Sequence, residues 1–74
     1  RDKFLAAVRK DQYRLGLLGN SRGDIQKRIR IFQSWMTWWR KVPNQCRMNG
    51  LPPVAQIKEM IAEQRDALRR MSGG

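Results

Sequence analysis

Apolar positions along this chain recur at helical spacing in three stretches, and nowhere alternate as a half-buried strand would. Phe4, Leu5, Val8, Leu15 and Leu18 mark a first amphipathic helix over 2–18. Its other face carries Lys3, Lys10 and Arg14, with Arg9 and Tyr13 beside them. Gly16 weakens the last turn, and Gly19-Asn20 supplies a stop, because either residue tolerates a left-handed position after a helix. Asp11 and Gln12 border the apolar stripe. Both are expected to reach solvent, with a buried polar contact as the alternative.

The second helix is predicted over 24–42, with Asp24 as its N-cap and Pro43 as its terminator. At about 100° per residue, Ile25, Ile29, Ile31, Phe32, Trp35, Met36, Trp38, Trp39 and Val42 cover half the circumference. Two residues complicate that arc. Arg28 projects into it between Trp35 and Trp39, so its stem should pack there while the guanidinium stacks on a ring or escapes at the edge. Trp38 lies where the arc meets Lys27, Ser34 and Lys41. A core-edge ring is the plain expectation there, and a base-stacking or partner-anchoring ring the sharper one.

Pro43 to Leu51, with Asn44, Asn49 and Gly50, reads as a loop. Pro52-Pro53 then opens a third helix over 53–71, striped by Val54, Ile57, Met60, Ile61, Leu68 and Met71. The expected architecture is all-α: a small three-helix bundle, one domain over 1–74, part of a longer protein. Its core should be Phe4, Val8, Leu15, Ile25, Ile29, Phe32, Trp35, Met36, Trp39, Ile57, Ile61 and Leu68. At 41% hydrophobic residues with three Trp, the chain can build such a core, though with a thin stability margin at this length.

Charge changes the picture. Sixteen Lys and Arg against six Asp and Glu give +10, a self-repulsion usually retained for an acidic partner. The polar half of the second helix holds Lys27, Arg30, Arg40 and Lys41 with Gln26, Gln33, Ser34 and Thr37, and no carboxylate. An ordinary solvated face mixes both signs, as the third helix does with Lys58, Glu59, Glu63, Asp66, Arg69 and Arg70.

Chemistry is scarce. With no His, acid–base work falls to residues already explained as caps or surface, and no glycine pattern suits phosphate binding. Cys46 is the only cysteine; Arg47 beside it would lower its pKa, yet no base accompanies it. An enzyme is not expected, and neither is a metal or other cofactor. No apolar run approaches the roughly 20 residues of a membrane span and no signal-peptide core is present, so an intracellular setting (cytoplasm, nucleus or nucleoid) is expected. Membrane-surface action is disfavoured by a mean hydropathy of −0.72.

Helix, short Gly-containing turn, helix is helix-turn-helix grammar, although Gly19 to Gly23 is longer than usual. The leading expectation is a DNA- or RNA-binding domain. Lys27, Arg30, Arg40 and Lys41 would meet phosphates or guanine edges, Gln26 and Gln33 would pair with adenine, and Ser34 and Thr37 would contact either. Lys10, Arg14 and Arg22 would extend the surface, and Trp38 would stack. The alternative is a protein-interaction or homodimerising module that binds an acidic or amphipathic partner helix through surplus Trp-rich surface.

Overall fold

The computed structural model describes residues 3–73. It is a small all-α bundle of four helices: α1 (Lys3–Leu17), α2 (Arg22–Lys41), α3 (Pro43–Met48) and α4 (Val54–Gly73). The expected helix start at Asp2 lies outside the described residues. α2 is the hub, with α1, α3 and α4 each packed on it.

α1 and α2 form an antiparallel hairpin. Phe4 meets Trp38 edge to face at 5.3 Å, Asp11 meets Trp35, and the Leu18 and Gly19 carbonyls meet Arg28. Side-chain reach is thus kept over the whole of α1, roughly 20 Å at 1.5 Å per residue.

The turn between them is built differently from the expectation. Ser21, not Asp24, caps α2: its Oγ accepts from the Asp24 backbone N at 3.2 Å. Asp24 stands three residues inside and reaches back, accepting from Gly19 N at 2.9 Å, a variant of the reciprocal capping box. That close approach is why a glycine suits position 19, where an added Cβ would lie 3.3 Å from Asp24 Oδ2. Gly19 does not adopt a left-handed conformation; Gly50 alone does among the described residues, with φ 72°.

The expected loop over 43–51 contains α3. Pro43 occupies its first turn, where a missing N–H costs nothing. Leu51 N donates to Cys46 O at 3.1 Å and Gly50 N to Arg47 O at 3.2 Å, the double bond of a Schellman stop with Gly50 at the left-handed position. Cys46 and Leu51 thereby enter the core, fully and almost fully buried. Pro53 precedes α4, its carbonyl accepting from Ile57 N at 2.9 Å.

The core holds Phe4, Val8, Ile25, Ile29, Ile31, Phe32, Trp35, Cys46, Leu51, Ile57 and Ile61. Leu15, Met36, Trp39 and Leu68, expected inside, are half-buried against it. Ile31 is buried though absent from the expected core. α3 gives the apolar arc of α2 a neighbour not expected from the sequence, with Met36, Trp38, Trp39 and Val42 half-buried. Large exposed apolar side chains lie elsewhere, at Tyr13, Leu17, Met48 and Met71. None of the helices is long and apolar enough to cross a membrane, among the described residues.

Candidate functional site

Docking of α1 and α4 divides the polar half of α2 in two. Ile31, Trp35 and Trp38 point toward α1, and Ile25 and Met36 toward α4. By helical phase, Lys27, Arg30, Ser34, Thr37 and Lys41 then form one stripe along the α1 side. Gln33 lies on the α4 side, lining a groove with Met36, Lys58, Ile61, Ala62 and Arg65. Arg40, Gln26 and Arg22 share its phase, and Arg22 donates to Ser72 Oγ at 2.6 Å on α4.

Between α1 and α2 runs a cleft of about 240 Å³, lined by Asp11, Arg14, Lys27, Arg30, Ile31 and Ser34. Lys3, Ala7, Lys10 and Arg14 recur at i, i+4, i+7 and i+11, so Lys3 and Lys10 fall on the α1 edge that carries Arg14 to the cleft. Lys41 extends the α2 edge, its Nζ 5.7 Å above the Trp38 ring. Two cationic helix edges therefore face each other across one groove.

Among the described residues no salt bridge pairs these cations. Among the described residues the salt bridges are those of Asp66 with Arg69 and Arg70, all on α4. Asp66 is held below the usual carboxylate range by its Arg69 hydrogen bond and charge. Asp24 is occupied by Gly19 N. Asp11, the one acid lining the cleft, stays half-buried and accepts the Trp35 indole N–H at 3.2 Å. The polar contact posed as the alternative for Asp11 forms, part-buried.

Arg28 neither stacks on a ring nor escapes. Its guanidinium donates to Gly19 O at 2.7 Å and, more weakly, to Leu18 O at 3.4 Å, closing the end of α1. It also donates to Gln64 Oε1 on α4 at 2.8 Å. It is the tie between the flanking helices, as the planar donor fork of arginine allows.

Ser34 and Thr37 are half-buried, and their hydroxyls donate back into α2, to Ile31 O at 3.0 Å and Gln33 O at 3.3 Å. Each keeps acceptor capacity only. Trp38 is half-buried between Phe4 and Lys41, a core-edge ring. Trp39 donates its Nε1 to Pro52 O at 2.8 Å, and Trp35 tilts against Phe32 at 5.7 Å. Of the three tryptophans, Trp35 is buried, while Trp38 and Trp39 stay half-buried.

Among the described residues, no three of His, Cys, Asp and Glu come together to hold a metal ion. Burial pushes the Cys46 thiol above its usual range, opposite to the lowering expected from Arg47. That guanidinium is turned to Asn44 Oδ1 at 2.8 Å.

The chain matches no protein-family model, no curated protein and no solved structure.

Proposed function

We propose that the chain is a non-enzymatic nucleic-acid-binding module whose α1–α2 groove takes the phosphate backbone. The observation that carries this is the convergence of Arg14, Lys27 and Arg30 on one cleft, with no salt bridge to them among the described residues. Cations gathered from two helices repel one another, so their grouping opposes folding unless an anion is met. Three acids of the chain, Glu59, Glu63 and Asp66, sit on α4, away from this groove. The stripe from Lys27 to Lys41 is roughly 20 Å long, enough to follow a polyanion backbone past several phosphates.

The proposal assigns phosphate contacts to Lys10, Arg14, Lys27, Arg30 and Lys41. It gives no such role to Gln33, Arg40 or Arg22, which lie toward α4, and no base-reading role to Ser34 or Thr37. An intracellular setting accompanies this reading, because that is where nucleic acid is met.

Salt titration of binding to DNA and RNA tests it. With about five cations engaged, log K against log salt should fall with a slope near −4. Lys27→Ala and Arg30→Ala should each flatten that slope by roughly one, while Arg40→Ala and Glu59→Ala should change it little. A chain that ignores both polyanions at low salt refutes the proposal.

A further inference from the structure

Of the six aromatic side chains, Tyr13 differs from all the others. Phe4, Trp38, Phe32 and Trp35 pack on one another, and Trp35 and Trp39 have their indole N–H groups bonded. Tyr13 is 70% exposed and carries no hydrogen bond among the described residues. It lies on α1 three residues from Lys10 and four from Arg9, and residues at those spacings are neighbours on a helix surface. Leu17, also exposed, follows one turn on, so the ring and an apolar side chain lie side by side on the outer face of α1, next to Lys10 on the groove's edge.

We infer that Tyr13 is a stacking platform for an unpaired base, and that the ligand is single-stranded nucleic acid with its backbone in the α1–α2 groove. This rests on the reading of the groove as a phosphate track. A groove of cations alone favours the duplex, which presents twice the phosphates per length. An aromatic ring beside the track reverses that order, because the bases of a duplex present their faces only to one another, whereas those of a single strand are free to stack. The flanking Arg9 guanidinium adds a planar cation to the same surface. Exposure also keeps the ring out of the fold's energetics, so its role is separable from stability.

Fluorescence anisotropy with the full chain tests this at low salt. The probes are oligo(dT) and oligo(U) of about twelve nucleotides, within common single-strand site sizes, a duplex DNA of that length, and an abasic oligodeoxynucleotide of equal charge. The expected result is tighter binding of at least one single strand than of duplex or abasic strand, by about tenfold. Tyr13→Ala should erase that margin without moving the thermal melt, and Tyr13→Phe should keep it. Lys27→Ala should weaken all probes together. Duplex bound as tightly as the single strands, or a margin indifferent to Tyr13→Ala, overturns the inference while the groove reading stands. Failure of every probe to bind overturns both.

Discussion

The Asp11 carboxylate accepts the Trp35 indole N–H at 3.2 Å across the α1–α2 interface. One bond does two things there: it satisfies a core donor, and it holds the groove's single acid against the protein. A hydrogen bond to a charged group contributes about 1.5–3 kcal/mol, less where solvent reaches it, as at this half-buried carboxylate.

Asp11→Asn should separate the two effects. The amide oxygen still accepts from Trp35, so the melting temperature should move little, while polyanion affinity should rise as a negative charge leaves the groove. Asp11→Ala should raise affinity similarly but cost about 1–2 kcal/mol, since the indole loses its partner. Urea denaturation beside anisotropy titration reads both. Equal stability of the two variants would mean that the bond contributes nothing.

Arg28 provides the second test. Arg28→Ala removes donors from the end of α1 and from Gln64 together, and should cost about 2 kcal/mol. Arg28→Lys should not restore it, because a single ammonium lacks the planar fork that spans the Gly19 carbonyl and Gln64. Denaturation midpoints of the two variants, with Gln64→Ala as the second arm of a double-mutant cycle, check this.

Burial ranks the aromatic truncations. Phe32 is in the core and Phe32→Ala should cost roughly 3–5 kcal/mol, enough to unfold a domain of this size. Trp38 and Trp39 are half-buried, so Trp38→Ala and Trp39→Ala should cost less, about 2 kcal/mol each. A circular-dichroism melt of Trp38→Ala as damaging as that of Phe32→Ala would put the ring in the core rather than at its edge.

Cys46 gives a probe of opening. Its thiol has 0% exposure, so labelling by a thiol reagent should run at the rate of unfolding or of local opening at α3. Because burial raises its pKa, the folded chain holds this proton more tightly than the unfolded one. That stability is present at neutral pH and is lost as pH climbs past the usual thiol range. Cys46→Ala should blunt the alkaline loss, as a series of melts against pH would register.

The three long helices were legible from the chain alone, because their apolar residues repeat at the helical period over four or more turns. α3 was not: fewer than two turns leave no period to read. Its marks were local, Pro43 at the start and Asn49-Gly50-Leu51 at the end, the pattern of a left-handed stop followed by a buried residue. Missing it left Cys46 and Leu51 outside the core and made the α2 arc look too wide to cover. Ser21 was likewise outweighed by Asp24, since both suit a cap and only the path of the turn chooses between them.

The cationic half of α2 was equally plain in the sequence, as was the net charge of +10. Which of those polar residues act together was decided by the tertiary structure. Periodicity records which side of a helix faces the core; it does not record which neighbour lies at each edge. Once α1 docks along Ile31, Trp35 and Trp38, Lys27 and Arg30 share a cleft with Arg14, while Gln33, four residues from Ile29, opens toward α4. Asp11 and Arg28 were misjudged for the same reason. A polar side chain beside an apolar stripe has no partner until a second helix brings one, and here the partners stood 24 and 36 residues away.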